Sequence, residues 1–111
     1  NKKKNIDYVV MNVYEDKWNF GEIDAVFIDC VHDYNHVKSD INNSLSLLKS
    51  GGYLIFDDYG LFSEIKKAVD EYIDDGKLKI VEKIGHYKNA YYPTTQNKVL
   101  KDREGVICQV V

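Results

Sequence analysis

One stretch near the middle of the chain, Gly51-Gly52-Tyr53-Leu54-Ile55-Phe56-Asp57-Asp58-Tyr59, constrains the fold more than any other. The glycine pair ends one element, and the apolar run from Tyr53 to Phe56 reads as a buried strand. Two adjacent carboxylates then stand where that strand ends. Folding alone gives no reason to set like charges side by side, and a divalent cation would neutralise them. A solvated turn accounts for the same pair, since Asp is common in turns. What lies beside the pair in space decides between the two.

The neighbouring segments supply a topology. Ile6–Tyr14 is β-branched and aromatic and reads as a strand closed by Glu15, Asp16 and Lys17. Ile23–Asp29 is apolar on both faces, the pattern of a central parallel strand. From Asn35 to Lys49 the period becomes helical, with Val37, Ile41, Leu45 and Leu48 on one face and Lys38, Asp40, Asn42 and Asn43 on the other. Asp33 or Asn35 supplies the N-cap and Gly51 the stop. The strand Tyr53–Asp57 follows, then a helix over Phe62–Asp74 ended by Asp75-Gly76. Leu78–Ile84 alternates as a strand, His86–Lys98 with Pro93 reads as a loop, and Gly105–Val111 closes the chain as an antiparallel partner of Leu78–Ile84. Strands alternating with helices of this length give an α/β fold with a mixed, mostly parallel sheet and an antiparallel C-terminal strand pair.

In open α/β sheets, ligands bind beyond the carboxyl ends of the strands. If Ile23–Asp29 and Tyr53–Asp57 are neighbours, Asp29, Asp57 and Asp58 converge on one side and suit a hard octahedral cation such as Mg²⁺. His32 follows at once. It serves either as a proton acceptor or as a hydrogen-bonding prop for its loop. Helix capping alone explains Asp33. His36 and His86 read as solvated or structural, and Tyr34 and Tyr59 as pocket lining or packing. Asp16 is a possible ligand contact and equally a surface turn residue.

Composition narrows the classes. The formal charge of −3 over 111 residues leaves no basic excess for a nucleic-acid backbone. The run Lys2-Lys3-Lys4 is short and reads as a solvated end. No segment reaches the ~20 apolar residues of a membrane span, and no secretory signal is visible. Cys30 and Cys108 fit no metal spacing and read as buried, reduced thiols of a cytoplasmic protein.

The segment from Ile23 to Gly60 resembles class I S-adenosylmethionine-dependent methyltransferases, most closely the group of macrocin-type sugar O-methyltransferases. The resemblance rests on a strand ending in Asp29 followed by His32 and an aromatic. A helix ending Leu47-Leu48-x-x-Gly51-Gly52 and a strand ending Asp57-Asp58-Tyr59 complete it. It extends to about Ile73. It implies a partial Rossmann-like methyltransferase fold, with S-adenosylmethionine and Mg²⁺ as cofactors and a small-molecule hydroxyl as substrate. It implies Asp29, Asp57 and Asp58 as metal ligands, and Asp16 and Asp29 as cofactor-binding. Relatives often carry a second Asp where Val31 stands, which leaves His32 as the catalytic base. The family's glycine-rich donor turn has no counterpart, and the chain opens on Asn rather than Met. The chain is therefore expected to be the C-terminal part of a methyltransferase domain, lacking the first βαβ unit. The strand Ile23–Asp29 would then have an open edge, covered by Ile6–Tyr14, by a swapped segment or by a second copy in a homodimer. Two other readings compete: a non-catalytic α/β remnant serving oligomerisation, and a phospho-accepting signalling domain. The order of the acidic sites is reversed for the last.

Overall fold

The computed structural model describes residues 5–92 and 98–111; the Lys2–Lys4 run and Pro93 lie outside the described residues. Six elements follow in order: β1 (Ile23–Ile28), α1 (Tyr34–Leu47), β2 (Leu48–Phe56), α2 (Ser63–Asp74), β3 (Leu78–Tyr92) and β4 (Lys98–Val110). The sheet order is β1-β2-β4-β3. β1 runs parallel to β2, with Val26 opposite Leu54 and Ile28 opposite Phe56. β4 is antiparallel to both β2 and β3. The sheet is thus mixed, its parallel part is the β1–β2 pair, and the expected antiparallel C-terminal pair is present.

Alternation along the strands sets the core. Leu54 and Phe56 of β2, and Val106 and Cys108 of β4, are buried in one cluster with Val37 and Ile41 of α1 and Ile65, Ala68 and Val69 of α2. The intervening residues point the other way. On that side Phe27 is 62% exposed and Tyr53 41%. A parallel strand such as β1 is normally covered on both faces, and here one side and one edge of it remain open among the described residues.

Several expectations need correction. Ile6–Tyr14 is not a strand: no ladder bond holds it, and Val9 and Val10 are exposed. The chain turns instead at Asn12–Asp16, where the Asp16 amide donates to the Asn12 carbonyl at 2.8 Å and the Asp16 carboxylate accepts the Asn12 N–H at 2.8 Å. The Asn12 side chain takes the Tyr14 amide at 3.0 Å. Local side-chain bonds of this kind compete with strand pairing. α1 stops at Leu47, before Gly51, and Leu48 goes straight into β2 opposite Ile23. Gly51 lies inside β2 with φ +88°, a backbone state that suits glycine. The polar stretch after Ile84 is largely ladder: β3 runs on to Tyr92 and pairs with β4 back to Lys98. Cys30 is exposed, whereas Cys108 is buried as expected. Asp33 caps α1, accepting the His36 amide at 2.9 Å.

Candidate metal and proton-transfer site

The site is built where β1 and β2 end together. The Asp57 amide donates to the Ile28 carbonyl at 3.2 Å, which carries the parallel pairing one step past both strands. Asp29 therefore leaves the sheet beside the Asp57-Asp58 turn. Ligand atoms of Asp29, His32 and Asp58 all lie within 4.8 Å of one another. His32 Nε2 sits 2.8 Å from Asp58 Oδ2, and both side chains keep about a quarter of their surface in solvent. The imidazole also leans on Phe62, ring centroids 4.7 Å apart, which restricts its swing. Two carboxylates and an imidazole at this spacing form a donor set that divalent metals accept.

Asp58 owes its aim to its backbone. Its φ of +60° makes it the one described non-glycine residue with positive φ. Asp is among the few side chains that visit this region readily. The turn then closes on itself, with the Leu61 and Phe62 amides both donating to the Asp58 carbonyl at 3.0 Å. Asp57 is placed differently from its neighbour. Its Oδ1 accepts the Asp58 amide at 2.9 Å, and it stands outside the Asp29–His32–Asp58 group. Asp16 likewise stands outside that group, in the exposed turn held by Asn12. The structure thus brings together Asp29, Asp58 and His32 of the residues singled out from the sequence, and leaves Asp57 and Asp16 apart from them.

The loop carrying His32 is pinned from the N-terminal segment. The Val31 amide donates to the Tyr14 hydroxyl at 3.1 Å, and the Tyr14 ring meets His36 edge-on at 4.4 Å. His36 also contacts the Asp33 carboxylate through Nδ1. Burial, with neighbouring Asp40 adding to it, pushes the Tyr14 hydroxyl up. Tyr34 packs its hydroxyl against Glu71 of α2, and Tyr59 is buried in the core, so neither lines an open pocket.

Asp40 is a buried residue that sequence spacing had set on the polar face. It is 1% exposed, and neither carboxylate oxygen has a partner among the described residues. Its spacing held the signal: position 40 falls three after Val37 and four before Ser44, both buried. Burial raises its pKa from 3.8 to about 6, with His36 opposing and Asp33 adding. A carboxyl raised on folding costs nothing below the unfolded value. The cost grows between 3.8 and about 6 and is complete above that. Asp40→Asn is therefore expected to gain on the wild type as pH rises. Urea unfolding at about pH 4 and pH 8 should show the stability difference moving by about 2–3 kcal/mol in the variant's favour. A difference independent of pH would mean that Asp40 is ionised at no net cost.

With this geometry in place, similar proteins can be set beside it. Residues 3–59 match a family described as a methyltransferase domain. The O-methyltransferase NovP shares the fold with a TM-score of 0.54 and 24% identity, over 81% of this chain and 30% of that one. An S-adenosylmethionine-dependent O-methyltransferase (TM0748) from Thermotoga maritima gives 0.53 and 16%, over 91% of this chain and 38% of that one. The chain therefore spans about a third of the length of these structures. Among curated proteins, none matches.

Proposed function

The chain belongs to the methyltransferase-domain family, and we propose from this that it is part of an S-adenosylmethionine- and Mg²⁺-dependent O-methyltransferase. Its substrate would be a hydroxyl of a small molecule such as a sugar or natural product. The observation that carries the reading is the convergence of Asp29, His32 and Asp58 at the carboxyl ends of two parallel strands. Asp29 and Asp58 would hold the cation through hard carboxylate oxygens. Bound Mg²⁺ would lower the pKa of a hydroxyl, and bound S-adenosylmethionine would supply an electrophilic methyl group. The protein's own work is to position and to take a proton. His32 is the acceptor through Nδ1, since Nε2 carries the hydrogen it donates to Asp58 Oδ2, and an imidazole suits proton transfer near neutral pH. The Asp58 carboxylate 2.8 Å away stabilises the imidazolium that results and fixes the ring with Phe62. The hydroxyl proton would pass to His32 while the methyl group moves from the donor's sulfonium sulfur to the substrate oxygen. The C–S bond breaks as the C–O bond forms, and its electron pair stays on the departing thioether; the chain itself contributes orientation and electrostatics. Asp16 would contact the donor's adenosine from the N-terminal turn. The two free thiols suit a reducing, cytoplasmic setting.

Calorimetry with S-adenosylmethionine on the longest reading frame containing this chain tests the proposal. Saturable binding supports it; no binding by that longer protein removes it.

The open side of β1 favours a second reading, an α/β module used in assembly. Among the described residues β1 has no partner on its outer edge, an unpaired apolar edge is a template for another strand, and Phe27 is exposed on the sheet face beside it. A homodimer through this edge would show as concentration-dependent sedimentation, shifted towards monomer by Phe27→Lys. A monomer at all concentrations would end that reading.

A further inference from the structure

The Asp57-Asp58 turn is held from behind by a network that the sequence did not announce. Tyr59, next to Asp58, is 1% exposed. Its hydroxyl donates to Asp70 Oδ1 of α2 at 2.6 Å and accepts from Lys66 Nζ at 2.8 Å. Lys66 donates in turn to Asp102 Oδ2 of β4 at 2.9 Å, and Lys83 of β3 reaches the same oxygen at 3.0 Å. Asp102 itself is 7% exposed. Gly60 is pressed onto the same strand: a Cβ there would lie 2.0 Å from the Arg103 carbonyl oxygen. Burial alone would depress the Lys66 ammonium, yet its bonds to Tyr59 and Asp102 hold it above its ordinary value. For Asp102, burial pulls upward and the two lysines win, keeping the carboxylate ionised.

We infer that Lys66, braced on Asp102, is a positioning residue for the candidate cation site: it clamps Tyr59 to α2 and β4 and so fixes Asp58 in its left-handed conformation facing Asp29 and His32. The inference rests on the metal reading proposed above. A non-glycine residue stays at positive φ only where its surroundings over-determine it. The turn's own bonds to the Asp58 carbonyl close it locally, but they do not tie it to the sheet. Asp57 is tied to β1 through its bond to Ile28, and the tie to α2 and β4 comes from Tyr59, whose polar partners are Asp70 and Lys66. Lys66 bridges three elements at once: the turn, α2 on which it sits, and β4. An ammonium with three donors can serve several acceptors together. The network touches the site only through the backbone of Asp58 and Tyr59, so its effect should appear as geometry and not as lost charge at the metal.

The test is Mn²⁺ titration by calorimetry on the full chain, with two variants beside the wild type. Lys66→Met removes the brace, and Tyr59→Phe removes only the hydroxyl it grips. Lys66→Met is expected to weaken Mn²⁺ about tenfold or more, Tyr59→Phe by a smaller factor, and Lys66→Arg to recover part of the loss. A metal-free readout separates positioning from loss of fold: the strong intraresidue Hα–HN contact of a left-handed Asp58 in NMR should weaken in Lys66→Met and Tyr59→Phe while core resonances hold. If Lys66→Met does not fold, Tyr59→Phe carries the test. Wild-type binding with unchanged affinity and an unchanged Asp58 signature in the variants overturns this inference and leaves the metal reading standing. No Mn²⁺ binding by the wild type overturns both.

Discussion

Asp58→Asn is expected to lower divalent-cation affinity more than about a hundredfold while leaving the fold intact. Removing groups that merely support metal ligands costs about 10–100-fold, so loss of a carboxylate ligand should exceed that. Asn is the informative replacement. It tolerates positive φ as Asp does, so the turn at φ +60° keeps its shape. The bond from Asp58 to His32 involves partly exposed groups, and pairs of that kind contribute about 1 kcal/mol or less. Removing one of two adjacent negative charges offsets some of that loss. Calorimetric titration with Mn²⁺, run beside thermal unfolding, checks both halves. Equal affinity in variant and wild type would take Asp58 out of the site. A large fall in melting temperature would mean that the ion pair is structural.

Gly60→Ala is expected to do the reverse and break the fold. The added Cβ would meet the Arg103 carbonyl oxygen at 2.0 Å, its carbon at 2.6 Å and the Asp102 oxygen at 2.6 Å. These are backbone atoms of a paired strand and have no rotamer to yield. Either the turn lifts from β4 or β4 bends, and over-packing of this severity costs about 3 kcal/mol or more. In a chain of this size that is a drop in melting temperature of about 10 °C or more. Differential scanning calorimetry reads it directly. A loss below about 1 kcal/mol would show that the turn and β4 are less tightly joined than the structure has them.

These two substitutions lie two residues apart in one turn, and the sequence revealed one more clearly than the other. Asp58 was legible because a like-charged pair at a strand end is anomalous by itself. Its convergence with Asp29 followed from topology, since parallel neighbours deliver their carboxyl ends to one side. The parallel pair and both helices were legible for the same reason: their apolar periods are long and clean. The N-terminal segment was not. Its β-branched residues suit a strand, but strand preference is realised only against a neighbour. Asn12 and Asp16 close the chain into a turn first. The outer reach of the β3–β4 hairpin was hidden by the opposite effect, a polar run held by ladder bonds without apolar alternation. Lys66 and Asp102 were invisible because a charged residue carries no mark of burial until its neighbours are known, whereas the burial of Asp40 was marked only by its helical spacing from Val37 and Ser44. Lys66 and Asp102 are 36 positions apart and meet only in the folded chain.

The central claim is that Asp29 and Asp58 together hold a divalent cation beside His32. A crystal of the chain grown in millimolar Mn²⁺, with diffraction measured at the manganese absorption edge, tests it most directly. The account predicts one anomalous peak within about 2.0–2.6 Å of a carboxylate oxygen of each of Asp29 and Asp58, the range of hard-cation–oxygen bonds. An anomalous map without a peak between those two residues, at a concentration that saturates ordinary carboxylate sites, would contradict it.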